Sequence, residues 1–262
     1  MIGGLRAIGI LVAVLGLAAC TETQDPAERS SSAAMAISSV AATADPPPSE
    51  AGTSNRMTYG VTTTSIDGFS PDGLGTWKAS RVQLVGGNAA VTRAFNDASQ
   101  AVLRGQLARA IAGARADSTP WTFESNGQVT FRRVVIAQVI TSAFYFGTHP
   151  SSEAGTVVID SRTARPVTLA DVFRDERAGL KRLSQQTKMI LPKVNGWNGV
   201  MPDAPGNAPA RENFANWAPT PDGMELHFAP NQFGLGMAET IVVPWSQLAD
   251  LLAPNMADIA RT

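Results

Sequence analysis

The spacing of apolar positions along this 262-residue chain changes several times, and each change marks an element. Residues 7–19 are apolar throughout, broken only by two glycines, and follow a single basic residue, Arg6. That run is too short for a spanning helix and suits the apolar core of an export signal. From Thr21 to Arg56 there is no period at all. The stretch SSSAAMAISSVAATADPPPSEAGTSN is rich in Ser, Ala, Pro and Gly and poor in large apolar residues. It buries too little surface to offset its ordering entropy, which predicts a tether, locally extended at Pro46–Pro48.

Met57 begins the folded region. MTYGVTTTSIDGF and TWKASRVQLVGG read as strands joined by the turn at Ser70–Gly73. Gly86-Gly87 breaks the second, and Asn88 is placed to cap a helix. From Ala89 to Ala112 the period is helical, with Val91, Phe95, Ala98 and Val102 on one stripe, and Gly113 marks its end. Asn126-Gly127 in WTFESNGQVTF predicts a hairpin turn. The β-branched, aromatic run RRVVIAQVITSAFYFG predicts a central strand. His149–Gly155 reads as a loop, and the next strand, TVVIDSRTARPV, turns at Asp160–Thr163. Thr168 and Asp171 have capping-box spacing and open a helix that breaks near Phe173–Asp175 and resumes to Ile190. Gly196–Ala210 is irregular and long enough to suggest a functional loop. MELHFAP and ETIVVP are further strands, and Trp245–Leu252 reads as a last helix. Hairpins outnumber βαβ units. This predicts an α+β fold with a mixed or antiparallel sheet and helices on one face. Residues 57–150 would form an N-terminal α/β subdomain, and 151–262 a C-terminal one.

Composition adds an address. The apolar run ends in Leu17-Ala18-Ala19-Cys20, and no other cysteine follows. The pattern resembles a bacterial lipobox at each position: cleavage before Cys20 would leave its thiol diacylated, with 1–19 as the lipoprotein signal and 20–56 as the tether. The alternative is an ordinary signal with an incidental cysteine. Each buried acyl methylene contributes about 0.8 kcal/mol, so two or three chains anchor stably. The rest of the chain has no disulfide and must be held by its core. The whole chain has 21 basic and 22 acidic residues; without Arg6, 20 basic residues face 22 acidic ones. That balance gives no basic face for a nucleic acid and no overall polybasic attraction to lipid.

Several stretches then carry a family resemblance: His149-Pro150 after a long strand, Ile159-Asp160 at a strand turn, TLADVF at Thr168–Phe173, ENF at Glu212–Phe214, DGMELHF at Asp222–Phe228, and the Pro-headed segment Pro244–Leu252. Together they resemble the exported RsiV-like C-terminal domain family. That family occurs in the ectodomain of a lysozyme-sensing anti-sigma factor, in the secreted immunogenic protein of mycobacteria and in related lipoproteins. The dense match spans roughly half of the chain, and Trp77–Phe131 fits more loosely. The resemblance implies a β-grasp-like C-terminal part joined to a smaller α/β unit, in an exported or surface-tethered protein. It implies no single activity: lysozyme binding belongs to the anti-sigma member, and esterase activity is sometimes proposed for mycobacterial members.

Candidate chemistry is sparse. With two histidines and one cysteine, neither a metal site nor a cofactor is expected. Glu225 and His227 share one strand face at the two-residue period, which suits a general base and its orienter but also a plain solvated face. Ser151 and Ser152 follow His149 closely, yet no G-x-S-x-G string exists. Aromatic residues in predicted loops, Trp197, Trp217 and Phe233, are candidate contacts for an envelope glycan, lipid or protein, with His149 and His227 as polar candidates beside them. The leading expectation is a membrane-anchored envelope lipoprotein, exposed on the outer face, whose domain binds a ligand without catalysis. The alternative is an envelope esterase using a serine with His149 or His227.

Overall fold

The computed structural model describes residues 50–114, 119–146 and 149–261. The export signal, Cys20 and the tether up to Ser49 lie outside the described residues. Ordered chain nevertheless starts before Met57. Glu50–Ser54 is strand β1, antiparallel to β2, Met57–Phe69, with Glu50 opposite Val61 and Ser54 opposite Met57. A tether reaching Arg56 is therefore too long at its C-terminal end. Ser54 explains why composition missed this strand. Its buried hydroxyl donates to the Arg132 carbonyl at 2.7 Å and lies 2.7 Å from Ser161 Oγ, while the Asn55 N–H donates to the Arg133 carbonyl at 2.9 Å. Hydrogen bonds hold the strand, so it needs few large apolar residues.

β3, Gly75–Gly86, returns antiparallel to β2. Asn88 then caps α1, Ala89–Ala114, its Oδ1 accepting from the Ala90 N–H at 2.9 Å. The helix crosses over to β4, Trp121–Phe131, which pairs parallel to β3. β5, Val135–Phe146, β6, His149–Asp160, and β7, Arg165–Pro166, follow antiparallel. The result is a seven-stranded mixed sheet with its strands in chain order.

Three expectations are corrected here. Asn126-Gly127 lies inside β4, and the chain turns at Arg132–Val134 instead, where the Arg132 N–H donates to the Val135 carbonyl at 2.9 Å. His149–Gly155 is the first half of β6 and pairs with Ile140–Phe146. A boundary at residue 150 would cut this ladder, so 57–150 and 151–262 share one sheet.

The two faces of β5 serve two cores. Ile136, with Ile159 of β6, joins Val91 and Phe95 of α1. The alternate positions Val135 and Ala137, with Val158, turn into a second and larger core. That core is completed by α2, Leu169–Val172, α3, Glu176–Val194, and a three-stranded antiparallel sheet. The small sheet consists of β8, Trp217–Pro219, β9, Gly223–Phe228, and β10, Glu239–Pro244, with β9 in the middle. The capping box is formed: Asp171 Oδ2 accepts from the N–H and hydroxyl of Thr168 at 2.8 and 2.6 Å. Trp245–Leu252 is not one helix. A 3-10 turn covers Trp245–Gln247, and its apolar spacing serves to bury Leu248 and Leu252. The architecture is α+β with a mixed sheet and helices, as the apolar pattern predicts. The second small sheet is an addition, and α1 and the α2–α3 pair belong to cores on opposite faces of the large sheet and not to one face.

Candidate binding groove

The loop expected to be functional folds back along α3. Asn195 ends the helix, and Gly196 follows with φ +70, a left-handed conformation that glycine adopts without strain. The chain then reverses. The Trp197 N–H donates to the Pro192 carbonyl at 2.7 Å, and the Met201 N–H to the Lys188 carbonyl at 2.9 Å. Beyond it, a 3-10 turn at Pro205–Asn207 is closed by Asn207, whose Oδ1 accepts from the Ala204 N–H at 3.0 Å and whose Nδ2 donates to the Pro202 carbonyl at 2.9 Å.

Between this loop and the helix lies a groove of about 500 Å³. α3 supplies Lys181, Ser184, Gln185 and Lys188; the loop supplies Asp203, Asn207 and a wall of Ala204, Pro205, Ala208 and Pro209. Lys188 Nζ and Asp203 Oδ1 meet at 2.6 Å across it. The Asp203 side chain is 91% exposed, so solvent screens the pair and it contributes little stability. Lys181 is exposed and has no carboxylate against it among the described residues. The groove therefore offers a mostly apolar wall, a hydroxyl, the Lys181 ammonium and a Lys188–Asp203 ion pair. That chemistry suits an anionic or hydrogen-bonding ligand with an apolar side.

The expected contact residues divide. Trp197 is 44% exposed, Val200 68% and Met189 38%, and none of the three lines the groove. Phe233 is half-buried and packs edge-on against Phe228, with centroids 4.8 Å apart. Its neighbour Gln232 braces the groove wall, Nε2 donating to the Gly206 carbonyl at 2.9 Å and to that of Asn213 at 3.1 Å. Trp217 is corrected: it is 3% exposed and belongs to the larger core, because β8 is a strand against β6 and not a loop. The His149 backbone pairs with Phe146, and its side chain lies outside what the structure describes.

His227 has two polar neighbours. Its Nδ1 lies 3.2 Å from Thr240 Oγ1 on β10, and its Nε2 lies 2.8 Å from Glu225 Oε1. The second contact is close, but it is not aligned as an N–H···O hydrogen bond. Hydroxyl, imidazole and carboxylate thus adjoin in the order of a nucleophile–base–orienter set. The hydroxyl belongs to a cross-strand threonine, however, and none of the three residues lines the groove or the smaller cleft of about 160 Å³ beside α1. Ser151 and Ser152 sit in β6, opposite Phe144 and Ala143, and no serine hydroxyl is hydrogen-bonded to His227 among the described residues. Sequence reasoning missed Lys181, Ser184, Gln185 and Lys188, since a polar helical stripe reads as a solvated face. Their spacing of three to four residues opposite the Gly/Pro loop was the available signal.

Comparisons with known proteins bear on the fold. Two similar solved structures are DUF3298 family proteins. One, from Bacteroides fragilis, has a TM-score of 0.53 and 12% identity, covering 79% of this chain and 99% of its own. The other, from Pseudomonas aeruginosa, has a TM-score of 0.51 and 14% identity, covering 75% of this chain and 95% of its own. At these identities the likeness establishes a shared architecture across most of the chain. No protein-family model and no curated protein matches it. Among the described residues, no helix is long and apolar enough to cross a membrane.

Proposed function

We propose that this chain is a cell-envelope lipoprotein, anchored to the outer face of a membrane through a diacylated Cys20. In this reading its α+β domain is a non-catalytic binding module of the RsiV-like kind. The observation that carries the binding reading is the groove between α3 and residues 203–209, with its apolar wall, Lys181 and the Lys188–Asp203 pair. The lipobox-like Leu17–Cys20 supports the address, and the DUF3298 neighbours support a fold common to such domains. The ligand belongs to the envelope: a glycan, a lipid or a protein, with lysozyme the trial ligand that the resemblance suggests.

Two measurements test this. Cys20→Ser should move the protein out of the membrane fraction or leave it unprocessed; unchanged retention at unchanged mass would refute the anchor. Capture from envelope extract should be lost on Lys181→Glu with Lys188→Glu, and capture that survives both changes would exclude the groove. A second reading, an envelope esterase, draws on Thr240, His227 and Glu225. It requires p-nitrophenyl ester turnover that disappears with His227→Ala.

A further inference from the structure

We propose that the end of α3, with the loop that folds back on it, is a second membrane contact: a patch that docks on an anionic phospholipid surface. This inference rests on the proposed anchoring at Cys20 and adds a contact made by the folded domain itself.

The patch is built from backbone geometry. The hydrogen bonds from Trp197 to Pro192 and from Met201 to Lys188 lay residues 197–201 along the last two turns of the helix. Met189, Trp197 and Val200 are all exposed on this helix end and the loop laid against it, and Val194 is 59% exposed. Large apolar side chains clustered in solvent mark a surface that meets something. Tryptophan is suited to the bilayer interface, where its ring sits in the acyl boundary and its N–H stays wet.

Charge selects the occupant. From Met189 to Pro202 the sequence contains no carboxylate, whereas Lys193 is exposed on this stretch and Lys181 lies further back along α3; Lys188 between them is paired with Asp203. Lysines around an apolar centre snorkel toward headgroups while their methylenes cover the apolar rim. Basic side chains near an anionic surface are drawn to it, and salt screens the attraction. The chain as a whole is slightly acidic, so this face is a local exception to the balance seen in composition.

Reach is sufficient. About thirty residues separate Cys20 from β1, and a chain of that length spans at most about 100 Å when fully extended.

The test uses the full lipidated chain in vesicles with bromine-labelled acyl chains, which quench tryptophan on contact. Of the five tryptophans, Trp197 is exposed and the other four are buried or half-buried, so difference spectra against Trp197→Phe isolate it. In phosphatidylglycerol vesicles, wild type should lose Trp197 emission. The loss should shrink in phosphatidylcholine, at high salt, and in Lys181→Glu/Lys193→Glu. Flotation with the vesicles reads the anchor separately. Flotation with no Trp197 quenching would overturn the docking and leave the anchor standing. Absence of flotation would overturn the anchor and the docking with it. Shielding of Trp197 that needs an added envelope protein, and not lipid alone, would also overturn it.

Discussion

Thr240 Oγ1 stands 3.2 Å from His227 Nδ1 across the ladder joining β9 to β10, where the two residues are direct cross-strand partners. Because opposed side chains on one sheet face approach closely, a hydroxyl and an imidazole meet here through register alone. Neither lines the groove along α3 or the smaller cleft beside α1. The contact is expected to stabilise the small sheet and to do no chemistry. His227→Ala should lower unfolding free energy by about 1 kcal/mol, read by urea melts. Ester turnover by wild type should equal that of the variant. A turnover difference at equal folded fraction would reverse the assignment.

Asp160 shows how a turn is made pH-sensitive. Burial alone would raise its carboxyl, but hydrogen bonds from the Arg162 side chain and N–H, with the guanidinium charge, outweigh burial and hold it below the ordinary range. The sign follows from linkage. A carboxyl whose folded pKa is depressed contributes stability that is complete above the unfolded value of about 3.9 and is lost as pH falls through the lower folded value. Asp160→Asn should cost about 2 kcal/mol at pH 7, the scale of hydrogen bonds to a charged group. The gap to wild type should narrow as pH drops below about 4. Denaturant melts from pH 7 to pH 2 measure both.

Much of the fold was legible because periodicity is local. α1, the α2–α3 break and its Thr168–Asp171 box follow from spacing alone. The failures share a different cause. Gly127 resembled a turn residue, but a Cβ there would meet Gln138 Nε2 at 2.5 Å and Val82 Cγ2 at 2.8 Å. The glycine makes room for tertiary neighbours, which no local pattern reveals. Gly155 is similar: a Cβ would lie 2.4 Å from Val102 Cγ1 of α1, so what looked like a loop glycine is close helix–sheet packing. The groove was half legible. Its loop stood out by composition, whereas Lys181 to Lys188 gained meaning only once that loop folded onto them.

β1 extends the domain N-terminal to Met57. Ser54 and Asn55 tie it to the β4–β5 turn through the Arg132 and Arg133 carbonyls. Limited proteolysis with mass spectrometry should give a stable core that starts at or before Glu50, with cuts N-terminal to it. A chain beginning at Met57 should melt lower, since it loses the β1–β2 ladder and leaves the Arg132 carbonyl without the Ser54 hydroxyl. A core of undiminished stability from Met57 would return residues 50–56 to the tether.

Gly206 offers a way to separate the groove from the proposed membrane patch. A Cβ there would fall 2.0 Å from the Gln232 carbonyl oxygen and 2.9 Å from its carbon, both backbone atoms. Gln232 in turn holds Gly206 and Asn213 through Nε2, so the two loops cannot part without losing those bonds. Gly206→Ala should therefore displace the Pro205–Asn207 turn at a cost of about 1–3 kcal/mol, the range for overpacking. Hydrogen exchange should rise across residues 203–214 and 229–236, and capture of the groove ligand should fall. Residues 188–201 are held by their own backbone bonds to α3, and none of these involves Gly206 or Gln232. Quenching of Trp197 by brominated lipid should accordingly be unchanged in Gly206→Ala. Equal loss of ligand capture and lipid contact would mean that the groove and the patch are one surface, with the groove wall holding both in place.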